Sequence, residues 1–217
     1  MIKKFSRVEG KYIEKIDGQD RFAYSHSDSI EFYELMELME YGGCEGNEIR
    51  FYDFYSGQVY CPFEKKRNVI YGDPVYYSGL YYFLKADYDE GTVVLYCYYP
   101  GELSEQVKEF DINEVSLYNL TITGNGIHVV SQGDVFRCYY PEQFSFLSGE
   151  HESVIFIDNG TVYCQKWIEE GWDDRKNCRT EDYNYYDKIV KRDFDGNILS
   201  EETGSLFRNT DGTWWIA

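Results

Sequence analysis

The stretch Ser153-Val-Ile-Phe-Ile-Asp-Asn-Gly-Thr-Val-Tyr-Cys164 reads as a strand, a two-residue turn and a second strand. Its flanks, 153–157 and 161–168, are rich in β-branched and aromatic side chains, which suit a pleated surface. Asn159-Gly160 between them supplies the two positive-φ positions that the favoured hairpin turn needs.

The same unit recurs outward along the chain. Gly-x-Val-Tyr-Cys occurs at Gly57–Cys61 and again at Gly160–Cys164. Cys-Tyr-Tyr-Pro occurs at Cys97–Pro100 and again at Cys138–Pro141. Ser153–Thr161 aligns with Ser205–Thr213 at Ser, Gly and Thr. Turn signals stand at Tyr55-Ser56-Gly57, Tyr77-Ser78-Gly79, Gly124-Asn125-Gly126, Asn159-Gly160 and Asp211-Gly212. Between them, strands are expected at 48–55, 59–63, 75–77, 80–86, 92–99, 115–122, 127–131, 135–140, 188–194 and 206–208. The 23 Tyr, 14 Phe and 4 Trp shift the whole chain toward strand.

Repeated strand–turn–strand units at this length point to an all-β fold, an irregular β-propeller of about five blades. The terminal strand, 213–217, would pair with N-terminal strands at 11–16 and 21–25 and close the ring, tying down Trp214 and Trp215. The spacing from Gly57 to Gly79 is too short for a full blade, so a two-sheet β-sandwich is the alternative. Either way residues 1–217 form a single domain, with a helical insertion at 28–41 and a long loop at 168–187.

Asp187-Lys-Ile-Val-Lys-Arg-Asp-Phe-Asp-Gly-Asn-Ile-Leu-Ser200, followed by Asn209-Thr-Asp-Gly-Thr-Trp-Trp-Ile216, resembles the repeat of bacterial β-propellers related to the low-density-lipoprotein-receptor propeller. The resemblance implies a binding scaffold. The Tyr-Trp-Thr-Asp box of those proteins is absent, and no functional residue carries over.

The insertion reads as a helix. Asp28 is placed to cap it, with Glu31 completing a capping box, and Gly42-Gly43 ends it. Phe32, Leu35, Met36 and Met39 form an apolar stripe. Glu31, Glu34, Glu37 and Glu40 form an acidic one, either a solvated edge or a dock for a basic surface.

Charge narrows the partners. With 21 Lys and Arg against 39 Asp and Glu, the net charge is −18. Phosphate backbones and anionic lipid surfaces both require an excess of cations, so neither nucleic acid nor a membrane is expected as a partner. The chain has no apolar run of signal-peptide or membrane-spanning length and is read as cytoplasmic.

Chemistry-bearing motifs are absent: there is no GxSxG, P-loop, GxGxxG or HExxH. His26, His128 and His151 lack ligand spacing, and no metal or cofactor is expected. Lys191–Glu202 matches an EF-hand loop in part, but a lysine occupies the first ligand position, so a plain Asp-Gly turn is the reading. Six cysteines allow fifteen disulfide pairings, yet no CxxC spacing occurs, and four sit in aromatic strand-like runs where free thiols pack as small hydrophobes.

The expected function is that of a non-catalytic binding or scaffold protein, meeting a protein partner through an acidic, aromatic surface. The alternative is a carbohydrate-binding module or a glycoside hydrolase. The candidate site lies in the charged loop, where Trp172, Asp173, Asp174, Tyr183, Tyr185 and Tyr186 combine stacking rings with carboxylates. Oligomeric state has no handle in the sequence.

Overall fold

The computed structural model describes residues 2–123, 126–173 and 175–217. The turn expected at Gly124-Asn125 lies outside them. The chain is all-β, in antiparallel sheets built one after another along the sequence.

The first sheet holds β1 (Glu14–Lys15), β2 (Phe22–His26), β3 (Ile49–Asp53) and β4 (Val59–Tyr60) in that order, with α1 (Phe32–Glu40) between β2 and β3. In the second, β5 (Val69–Tyr71), β7 (Leu80–Asp87), β8 (Thr92–Tyr99) and β9 (Leu103–Asp111) run in order, and β6 (Val75–Tyr77) also pairs with β7. The third comprises β10 (Thr121–Thr123), β11 (His128–Ser131), β12 (Val135–Tyr140) and β13 (Phe144–Leu147). The fourth comprises β14 (Glu152–Asp158), β15 (Thr161–Asp173), β16 (Cys178–Arg192) and β17 (Ile198–Thr203), and the fifth only β18 (Leu206–Arg208) and β19 (Trp214–Ile216). None of these sheets closes on itself.

The opening hairpin forms as its residues require. Asn159 and Gly160 both take positive φ, 46° and 75°, and Asp158 pairs with Thr161 across the turn. Each sheet then buries its apolar face against the next, in the manner of sandwich layers. Phe51 of the first sheet meets Tyr81, Phe83 and Tyr98 of the second. Leu84 and Leu95 of the second share a core with Phe32 and Leu35 of α1 and with Ile122 and Val129 of the third. Phe136 and Cys138 of the third pack with Val162, Cys164 and Val190 of the fourth.

Several expectations are corrected. The terminal strand does not join the N-terminal strands: β19 pairs with β18, while β1 and β2 pair within the first sheet. The reason is local, because Gly212, at φ 88°, folds the chain straight back and Asn209 N–H donates to the Thr213 carbonyl at 2.8 Å. The first and fifth sheets meet instead where Gly18 N–H donates to the Thr210 carbonyl at 3.0 Å.

The helix runs over Phe32–Glu40, shorter than 28–41, and its cap is Glu31 with Glu34 rather than Asp28 with Glu31. Asp28 accepts the Ser29 N–H instead. Strand 115–122 reduces to Thr121–Thr123, because Val115, Leu117 and Leu120 turn inward as core residues of a connecting segment. Segment 168–187 is not a loop but a β-ribbon.

Candidate functional site

The ribbon arises because β15 and β16 outrun their neighbours. They pair from Val162↔Arg192 out to Asp173↔Cys178. β14 accompanies β15 only as far as Lys166, and β17 accompanies β16 only from Lys188. Residues beyond those limits leave the sheet as a two-stranded arm. Gly171, at φ 72°, faces the bulged segment 180–183, and a Cβ at Gly171 would lie 2.7 Å from the Asp182 carbonyl oxygen. Thr180 Oγ1 locks the bulge by donating to the Gly171 carbonyl at 2.8 Å.

Side chains staple the arm across its strands. Tyr183 donates its hydroxyl to Glu169 at 2.7 Å, and Tyr186 donates to Glu170 at 3.1 Å. These carboxylates push both phenol pKa values up, by stabilising the protonated form. Arg179 lies over the Tyr183 ring at 4.5 Å, and Trp172 meets the same ring edge-on at 6.2 Å.

Of the sequence candidates, the arm thus brings together Trp172, Tyr183 and Tyr185, the last 62% exposed. Tyr186, next to Tyr185 along the strand, turns to the opposite face. Asp173 is spent on its own turn, accepting from Arg175 N–H and Lys176 N–H at 3.0 and 3.1 Å. Asp174 lies outside the described residues.

A second site was not anticipated. A cavity of about 1120 Å³ opens where the first strands of four sheets converge, lined by Glu14 of β1, Tyr71 of β5, Thr121 of β10 and Glu152 of β14. The lead-in to α1 and the segment 118–120 complete its wall. Carboxylates dominate the charge: Glu14, Asp28, Glu31, Asp73, Asp134 and Glu152 against Lys11. His26 Nε2 sits 3.0 Å from Asp73 Oδ1, and this bond holds the Asp73 carboxyl below its ordinary range.

At the cavity floor Glu152 is almost fully buried. Burial alone would raise its pKa, but Arg192, bonded at 2.6 and 2.8 Å, brings it below the usual value. Gln132 ties the third sheet to the fourth, donating to the Val154 carbonyl and accepting its N–H. The polar lining is therefore held in place by bonds made before any ligand arrives. No local signal marks it in the sequence, since His26 and Asp73 reach it from different sheets.

Among the described residues no group of three or more His, Cys, Asp or Glu side chains is arranged to hold a metal ion, and no helix is long and apolar enough to cross a membrane. All six cysteines are free thiols; Cys97, Cys138 and Cys164 are buried, and burial pushes the Cys138 thiol up to about 12. No protein-family model and no curated protein sequence matches the chain.

Proposed function

We propose that this protein is a non-catalytic binding scaffold that holds a protein partner on the arm of β15 and β16. The observation that carries this reading is the arm itself: a ribbon stiffened by its own staples, with no strand paired to either edge beyond Trp167 and Asp187. Free strand edges offer backbone donors and acceptors to an added strand. Trp172 and Tyr185 add the large, rigid contact area that interfaces favour. Glu169, Glu170, Glu181 and Asp182 bias the choice toward a basic partner.

The test is capture from lysate of the source organism at moderate salt, comparing the wild type with the double variant Trp172→Ala/Tyr185→Ala. A stoichiometric partner that the variant loses at unchanged melting temperature supports the reading. Identical captures by the two proteins overturn it.

A second reading, a carbohydrate held in the cavity, is favoured by the lining, where Tyr71 and Tyr118 stand among carboxylates and the His26 imidazole. Binding suits this cavity better than hydrolysis. A glycosidase needs one carboxyl held protonated, whereas Asp73 and Glu152 are both held toward the ionised form. Glycan-array binding by the wild type that Asp73→Asn reduces would support it.

We also infer that the five sheets form an irregular, propeller-like ring. Consecutive meanders, the first strands of four of the five sheets gathered around one cavity, and the Gly18–Thr210 bond between first and fifth sheets all favour that arrangement. The cytoplasm suits six free thiols. The charge of −18 disfavours nucleic acid and anionic membranes as partners.

A further inference from the structure

A groove of about 350 Å³ lies between α1 and the segment that follows β9. It is lined by Met36 from the helix and by Ile112, Val115 and Leu117 from the segment, with Asn113 as the polar member. Tyr33 and Tyr118 border it as a packed pair, with ring centroids 6.1 Å apart and planes tilted by 59°. Tyr33, Met36 and Tyr118 are 43%, 44% and 58% exposed, so three large side chains stand in water around one slot. Single exposed apolar residues are ordinary, but a contiguous set rimmed by charge marks a contact site.

The rim has one sign. On α1, Glu37 and Glu40 follow Tyr33 by four and seven residues, so they share its face of the helix. Across from them Asp111 and Glu114 are exposed beside Ile112 and Val115. Arg67 donates to the Gly42 carbonyl just past the C terminus of α1. A largely apolar slot near acidic side chains selects an apolar side chain flanked by cations.

We propose that this groove is a docking site for a basic segment of a partner protein, seating one large apolar side chain against Met36 and the outer side of the Tyr33–Tyr118 pair while flanking Lys or Arg residues meet Glu37, Glu40 and Glu114. The site is separate from the arm and shares with the preceding reading only the class of partner. The apolar anchor gives specificity, because screening weakens the charge contacts first.

The experiment uses two fluorescein-labelled twelve-residue peptides, rich in Lys and Arg and identical except for Phe or Ser at the centre. Binding to the full chain is read by anisotropy at physiological ionic strength. The Phe peptide is expected to bind at least tenfold more tightly than the Ser peptide. Met36→Lys, a change at a half-exposed helix position, is expected to abolish that difference, as is Tyr118→Ser, while Trp172→Ala/Tyr185→Ala on the arm leaves it intact. Equal affinity of the two peptides for the wild type overturns the proposal. So does an anchor preference that survives in both groove variants, since the peptide would then be seated elsewhere. Loss of the preference in the arm variant alone assigns the peptide to the arm and likewise overturns the groove.

Discussion

Trp214 lies face to face on Phe156, with ring centroids 4.6 Å apart and planes 22° from parallel. This stack fastens β19 to the fourth sheet and explains how a three-residue terminal strand with one hairpin partner stays ordered. Leu206 N–H adds a second tie, donating to Gln165 Oε1 at 2.8 Å.

Trp214→Ala is therefore expected to lower stability by about 2 kcal/mol, combining lost burial with a lost aromatic pair. Trp214→Phe should cost less than about 1 kcal/mol, because the buried Nε1 has no acceptor among the described residues and its removal leaves the stack in place. Trp215→Ala, at a 61% exposed position, should stay within about 0.5 kcal/mol. Urea unfolding of the three variants ranks them.

The Glu152–Arg192 pair should behave as a unit. Arg192→Met strands a carboxylate whose side chain is 3% exposed, with an expected cost of about 3–5 kcal/mol. Adding Glu152→Gln should recover much of that loss, since the buried charge is then gone. A double-mutant cycle by thermal unfolding reads the coupling directly.

Asp53 gives the acid limb. Burial alone would raise its pKa, but Arg21 at 3.0 Å and the Tyr55 N–H at 2.8 Å, with Ser56, lower it to about 2. A carboxyl depressed in the folded state binds its proton more readily when unfolded, so its contribution is full above about pH 4. That contribution is lost as pH falls from there to about 2. Asp53→Asn should cost about 2 kcal/mol at pH 7 and flatten the wild-type stability profile between those limits.

Two glycines should separate strain from clash. At Gly46, φ is 72° and an added Cβ would lie 2.0 Å from the Lys66 carbonyl oxygen, so Gly46→Ala is expected to cost more than about 3 kcal/mol. At Gly160, φ is 75° but nothing stands within 4 Å, so Gly160→Ala should cost only the left-handed conformation, about 1–2 kcal/mol. Calorimetry on the pair checks the difference.

What the sequence disclosed followed from burial. β7 and β12 alternate in burial along part of their length, whereas β2, β3 and β8 are buried on both faces and were legible from their aromatic and β-branched content. Outer strands are wet on both faces: β9 reads Leu-Ser-Glu-Gln-Val-Lys-Glu-Phe-Asp and β17 is exposed throughout, so neither has a period to detect. The arm hid for the same reason, its charges and Gly171 mimicking a loop while its pairing comes from cross-strand staples. The apolar stripe of α1 was legible, but its burial was not: Phe32 and Leu35 enter the core while Met36 remains half in water. The cavity was out of reach because its lining is assembled from four sheets.

Because each sheet is drawn from one continuous run of chain, nearly every strand finds its partner a short distance away in sequence. Low sequence separation favours rapid formation of each unit. Synthesis delivers the first sheet well before the fifth, so layers can assemble in order and each new one can settle on a finished template. The Gly18–Thr210 bond joins the first and fifth sheets, so during synthesis it forms only after the fifth is made. A lesion in the fifth sheet should therefore spare the earlier layers and leave a partly built stack with one bare apolar face, the species most prone to aggregate.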